Sequence, residues 1–143
     1  MSPSNRSLLV DTGFFFALYD EREDRHADAL KMQEWLEALV VVMPWPVLYE
    51  TMNTRFARRR DVMTRFDALV SSRDTLLVDD SSYRSRAYGR AVASSQRGEP
   101  VSLVDAILQA IIGDVNIPIA AMLTFNRRDF AAVCAQHSVE LLP

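Results

Sequence analysis

Residues 7–20, SLLVDTGFFFALYD, set one carboxylate, Asp11, between the apolar run Leu8-Leu9-Val10 and the run Gly13-Phe14-Phe15-Phe16. Ser7 to Val10 reads as a strand, Thr12-Gly13 supplies turn chemistry, and a short helix follows Gly13. The chain therefore passes from strand to helix at an acid. An ionised carboxylate is expensive to bury unless it is paired or holds a metal ion. Asp11 needs such a partner.

The same alternation repeats outward along the chain. Asp28 to Ala38 carries Ala29, Leu30, Met32, Trp35 and Leu36 on one helical face, and LVVVM is a second strand ended by Pro44. Pro46 suits a first helical turn, and the helix it opens runs through VLYETMNTRFARR. A further helix spans Asp61 to Ser71, TLLVD is a third strand, and SYRSRAYGRAVASS is helical with Asp80 or Ser81 as its N-cap. The loop SQRGEPVS, broken by Gly98 and Pro100, leads to SLVDAILQAIIG, whose broad apolar face predicts a largely buried helix. IAAMLTF is a fourth strand, NRRDFAAVCAQ a helix and VELL a closing strand. Strands that return through helical crossovers predict an α/β fold, with helices on both faces of a mostly parallel sheet of four to five strands. Trp35, Trp45 and the phenylalanines read as core.

With 143 residues, 49% of them hydrophobic, the chain suits one domain, 1–143, with a sizeable core. The single cysteine, Cys134, reads as a packed helical thiol, which fits a reducing cytoplasm. No apolar run approaches the ~18 residues of a membrane span, and MSPSNRS lacks the order of a signal peptide. A net charge of −3 excludes a polybasic nucleic-acid binder. Arginine nevertheless supplies every cation except Lys31, and Arg55, Arg58, Arg59 and Arg60 crowd one short stretch. Guanidinium groups make two-pronged contacts to phosphate that ammonium groups cannot.

Four acids fall at strand ends or helix beginnings: Asp11 after the first strand, Glu50 in the helix after the second, Asp105 and Asp129 in first helical turns. Acids favour first turns for dipole reasons alone, and Ser102 to Asp105 fits a capping box, as Asn126 to Asp129 nearly does. In a parallel sheet, however, residues just after the strands gather at one edge, where ligands bind. Two carboxylates ~5 Å apart repel by roughly 3 kcal/mol at an effective dielectric of 20. Four together must be partly protonated or hold cations, and an oxygen-only cluster suits Mg²⁺ or Mn²⁺.

The set LLVDTGFFFALYD, PVLYETMN, SLVDAILQA and LTFNRRDF, in this order and spacing, resembles the PIN-domain family, which includes VapC-type toxin ribonucleases. The resemblance covers essentially the whole chain. It implies a three-layer α/β/α sandwich and a metal-dependent endoribonuclease that hydrolyses RNA phosphodiesters with Mg²⁺ or Mn²⁺, as the toxin of a toxin–antitoxin pair. Asp11, Glu50, Asp105 and Asp129 then match the family's catalytic and metal-binding acids, and Thr12 matches the hydroxyl residue that follows the first. Asn126 stands where many members carry the fourth acid; with Asp129 three residues later, Asn126 becomes its hydrogen-bonding partner. Arg127, Arg128, Arg55, Arg58 and Arg59 are candidates for drawing RNA toward the acids. An antitoxin and a homodimer are partners that the resemblance implies. The alternative is a non-catalytic PIN-like module that binds RNA or protein through an incomplete metal site, which Asn126 makes conceivable.

Other chemistries lack their residues. Gly13, Gly89, Gly98 and Gly113 form neither a Walker loop nor a dinucleotide fingerprint. His26 and His137 are far apart, and Cys134 reads as a packed thiol, not a nucleophile.

Overall fold

The structure, a computed structural model, describes residues 7–143. The signal-peptide reading of residues 1–6 lies outside the described residues. Five strands form one sheet: β1 (Ser7–Val10), β2 (Val40–Pro44), β3 (Thr75–Val78), β4 (Ala121–Leu123) and β5 (Glu140–Leu142), in the order β3-β2-β1-β4-β5. All four pairings are parallel, with Leu8 opposite both Val41 and Ala121. The α/β sandwich with a parallel central sheet is the expected fold.

The central strands are apolar throughout because both their faces are covered. Leu8, Leu9, Val41, Val42, Met43, Met122 and Leu123 are at most 1% exposed. Helices α1 (Thr12–Tyr19), α2 (His26–Leu30), α3 (Gln33–Ala38), α4 (Trp45–Thr51), α5 (Thr54–Ala57) and α6 (Arg60–Val70) occupy the first half. Helices α7 (Arg84–Gln96), α8 (Leu103–Ile112) and α9 (Arg127–Gln136) occupy the second. Phe15 meets Phe66 edge-on at 5.3 Å, and Phe56 meets Phe66 at 5.4 Å, so a ring cluster locks α1, α5 and α6 together.

Several boundaries differ from the sequence reading, each for a local reason. Helix α1 begins at Thr12, so Gly13 lies inside it; the Phe14 N–H already bonds the Asp11 carbonyl at 3.1 Å. The helix expected over 28–38 is two short ones with Lys31 and Met32 between them. The helix expected through residues 47–59 stops at Thr51, because the Asn53 side chain caps a new helix by accepting from Phe56 N–H at 3.1 Å. A 3-10 turn at Ser81–Tyr83 precedes α7 with Asp80 at its N-cap, as expected, but the Asp80 side chain pairs with Arg84 at 3.0 Å and it is Asp79 that accepts the Ser81 N–H. Trp45 is 41% exposed and not core, since Pro44 and Pro46 fix the start of α4 at the sheet's end and leave the indole outside.

The strand order sets the place of a site. From β1 the chain moves outward through β2 and β3, then returns to the other side of β1 as β4. The crevice where this order reverses, beyond the carboxyl ends of β1 and β4, is where open α/β sheets bind ligands. Asp11 follows β1 and Thr124 follows β4.

Candidate active site at the sheet switch point

Backbone pairing continues past both strands at this crevice. Asp11 N–H donates to the Leu123 carbonyl at 3.0 Å, and Thr124 N–H donates to that of Leu142 at 2.9 Å. The two side chains are thus fixed by the sheet, and the buried Thr124 hydroxyl donates to Asp11 Oδ2 at 2.8 Å. Asp11 is only 9% exposed. Burial raises its pKa, and the Thr124 and Thr12 hydrogen bonds oppose that rise, while the charges of Glu50 and Asp129 add to it.

Glu50 comes from the exposed side of α4 and is tied to the site by Thr12, whose hydroxyl donates to Glu50 Oε1 at 2.8 Å. Asp11, Thr12, Glu50 and Asp105 line one open depression of about 390 Å³. Asp105 lies in the first turn of α8, capped by Ser102, which accepts its N–H at 3.0 Å. Burial, then the charges of Asp11, Asp129 and Glu50, push the Asp105 carboxyl up to about 7. The capping role and the clustered role therefore coexist: the first turn that the backbone needs capped is also the one that faces the other acids.

Asp129 enters from α9. Asn126 accepts its N–H at 3.3 Å, while the Asn126 amide donates to Asp129 Oδ2 at 2.8 Å and to Asp105 Oδ2 at 3.3 Å. One neutral amide thus spans two acids, and Asn126 is held in turn by its own N–H on the Thr124 hydroxyl at 2.9 Å. Among the described residues, no three His, Cys, Asp or Glu side chains are drawn closely enough to enclose an ion as they stand. The donors present are carboxylate oxygens with hydroxyls behind them, and the mutual opposition to ionisation at Asp105 is the electrostatics that a hard divalent cation relieves.

The arginines divide. Arg128 lies at the rim, donating to Asp129 Oδ1 at 3.2 Å and to the Pro100 carbonyl at 3.1 Å. Arg127 reaches away, to the Pro143 carbonyl at 3.0 Å. Arg55 and Arg58 are exposed on and just after α5. Arg59 is half-buried in an ion pair with Asp20 at 2.9 Å, so its charge serves the fold. Cys134 is buried, and burial raises its thiol pKa, which suits packing and not nucleophilic chemistry.

Three residues that the sequence reading did not select also shape this region. Thr124 is fully buried beneath Asp11, and Gln109 of α8 donates to the Asp129 carbonyl at 2.7 Å. Arg25 lies over the Phe125 ring, 5.2 Å from its centroid, beside a second depression that Asp11 and Asn126 also line. A hydroxyl at the end of an apolar strand and an amide within an apolar helix are the signals for the first two. Arg25 stands in a polar loop without pattern.

No family model matches the sequence, and no curated protein matches it in sequence. Solved structures do. VapC20 of Mycobacterium tuberculosis, a sarcin–ricin-loop-cleaving toxin, is 25% identical, with a TM-score of 0.68 over 87% of this chain and 94% of its own. VapBC2 of Rickettsia felis, solved with a DNA fragment from its promoter, shares the fold at 15% identity and a TM-score of 0.58, over 94% of this chain and 96% of its own. The parallel sandwich is thus shared along nearly the whole of VapC20, and the chain has the α/β/α PIN-domain fold of these VapC neighbours.

Proposed function

We propose that residues 1–143 act as one PIN-like domain, an endoribonuclease that uses Mg²⁺ or Mn²⁺ and forms the toxin half of a toxin–antitoxin pair. The observation that carries this reading is the cluster itself: Asp11, Glu50 and Asp105 line one depression, the Asn126 amide joins Asp105 to Asp129, and burial first, then the three neighbouring charges, oppose the ionisation of Asp105. Four acids on four separate elements have no reason of stability to share a crevice. Like charges brought together at a cost to the fold point to a cation as their purpose. The likeness to VapC20, a sarcin–ricin-loop-cleaving toxin, supports RNA as the substrate.

Asp11 and Asp105 would be the principal metal ligands, with Glu50 and Asp129 completing the set. The bound ion supplies Lewis acidity toward the phosphodiester and the attacking water. The chain's own residues do the rest. Thr124 and Thr12 fix the Asp11 and Glu50 carboxylates so that neither turns away. Arg128 and the exposed Arg55 and Arg58 draw the phosphate backbone toward a pocket that would otherwise repel it. A cytoplasmic protein partnered by an antitoxin, and a homodimer, fit this reading; the Rickettsia felis neighbour is itself a VapBC assembly.

A specific feature favours the second reading, a non-catalytic module binding RNA or protein: the Asn126 amide already donates to both Asp105 and Asp129, two of the acids that would hold a metal. One assay separates the two. The purified protein is incubated with a sarcin–ricin stem-loop RNA and with transfer RNAs, in Mg²⁺, in Mn²⁺ and in chelator. Cleavage that needs metal and disappears in Asp11→Asn and Asp105→Asn supports the nuclease. RNA retained without cleavage in either metal supports the module, and cleavage persisting in both variants removes the site assignment.

A further inference from the structure

Helix α8 carries a run of buried residues from Ala106 to Ile112, and Gln109 is its polar member, 9% exposed. A buried amide is costly unless its hydrogen bonds are made. Gln109 makes two, and both leave its own helix. Its Nε2 donates to the main-chain carbonyl of Asp129 on α9 at 2.7 Å, and its Oε1 accepts from Arg90 Nη1 on α7 at 3.2 Å. Arginine can only donate, so Arg90 fixes which end of the amide faces it and turns the NH₂ end toward Asp129. Gln109 also lies four residues after Asp105, one turn along the same helical face.

We propose that Gln109, oriented by Arg90, is a positioning residue that sets the spacing between the Asp105 and Asp129 carboxylates. The proposal rests on the metal-site reading above. Its geometry is a clamp: α8 holds Asp105 through its own backbone and holds Asp129 through one side-chain hydrogen bond to the first turn of α9. The Asn126 amide senses the same spacing, since it bonds both carboxylates at 2.8 and 3.3 Å. Without the clamp, the first turn of α9 is held to α8 only by the longer Asn126–Asp105 bond at 3.3 Å and by helix packing.

Gln109→Met keeps the length and bulk of the side chain and removes the amide, and Arg90→Met removes the orienting donor from an exposed position. Mn²⁺ binding is titrated calorimetrically on the folded parent, both single variants and the double variant, with RNA cleavage measured alongside. Loss of ligand spacing weakens Mn²⁺ binding by about tenfold in Gln109→Met, lowers kcat and leaves KM for RNA unchanged. Arg90→Met moves Mn²⁺ affinity the same way by a smaller factor, and the double variant is no weaker than Gln109→Met. Parent-like Mn²⁺ affinity in a folded Gln109→Met overturns the clamp. Should that variant fail to fold, parent-like affinity in Arg90→Met overturns it equally. A parent protein that binds no Mn²⁺ is a different result: it overturns the metal-site reading itself, and the proposal with it.

Discussion

The Thr124 hydroxyl donates to the Asp11 carboxylate at 2.8 Å across 113 positions of sequence, joining the ends of two neighbouring strands at the point where the strand order reverses. Thr124 is fully buried, so its hydroxyl cannot replace this bond with water. The same hydroxyl accepts the Asn126 N–H at 2.9 Å. Thr124 therefore couples the first acid to the loop that carries the last.

Thr124→Val keeps the shape and removes both bonds. A lost hydrogen bond to a charged group costs about 1.5–3 kcal/mol. Thr124→Ser keeps the hydroxyl and loses one methyl, worth about 0.8 kcal/mol in transfer terms plus a cavity contribution. Urea unfolding should rank the variants parent, Ser, Val in falling stability, and RNA cleavage should survive in Ser and collapse in Val. Equal cleavage by the two variants would show that the hydroxyl only fills space.

Asp105 carries a pH signature of opposite sign to the usual paired carboxylate. Its carboxyl is pushed up to about 7 in the folded chain, from an ordinary value of 3.8. The folded state therefore favours the protonated form. That contribution is fully present below about 3.8, fades between there and about 7, and is gone above it. Asp105→Asn removes the charge and keeps an acceptor for Asn126. In metal-free protein at pH 8 it should be more stable than the parent by about 1–2 kcal/mol, after discounting for solvent screening, or roughly 3–6 °C in melting temperature. The gain should shrink as pH falls toward 4, and cleavage should be abolished throughout. A variant less stable than the parent at pH 8 would rule out like-charge crowding at Asp105.

The sheet was legible because buried parallel strands are continuous apolar runs, and Val40 to Met43 or Ala121 to Leu123 can be little else. Asp11, Asp105 and Asp129 were legible because each falls at a strand end or first helical turn, a place that periodicity locates to within a residue or two, whereas Glu50 stands near the C-terminal end of α4. The break at Met52 and Asn53 was not, since Leu48, Met52 and Phe56 keep helical spacing across it; only the Asn53 side chain, bonding Phe56 N–H, decides for a cap. Thr124 and Gln109 were hidden for a related reason. A lone polar residue in an apolar pattern announces burial but not its partner, which here lies on another element. Trp45 misled because apolar size was read as burial, where flanking prolines fix the helix start instead.

Asn126→Asp tests the metal directly. The neutral amide now separates Asp105 and Asp129, donating to both. Aspartate there cannot donate when ionised and adds a third charge to the same space. In chelator, the variant should melt several degrees below the parent, roughly 2–4 °C per kcal/mol of destabilisation. Millimolar Mg²⁺ should restore more of that loss in the variant than it adds to the parent, because binding to the folded state alone stabilises it. Equal Mg²⁺ responses in the two proteins would place the ion, if bound, away from Asn126.

The arginines near α5 separate by burial, and their variants should separate by measurement. Arg59 is half-buried, with Nη1 2.9 Å from Asp20 Oδ1, and Asp20 is held well below the usual carboxylate range, first by its hydrogen bonds from Arg22, with Arg59 adding to them. Arg59→Ala removes an ion-pair partner and the packing of its stem, so it should lower stability by about 1–2 kcal/mol. Arg55 and Arg58 are exposed and form no ion pair among the described residues. Arg55→Ala with Arg58→Ala should leave the unfolding midpoint within about 0.5 kcal/mol of the parent. Each arginine withdrawn from a phosphate should flatten the dependence of RNA affinity on salt by roughly 0.7 in log–log slope for a single strand. Filter binding of RNA to a cleavage-deficient Asp11→Asn background, at several salt concentrations, measures that slope. An unchanged slope in the double variant would take the α5 arginines out of the RNA path and leave Arg128, already at the rim beside Asp129, as the cation nearest the substrate.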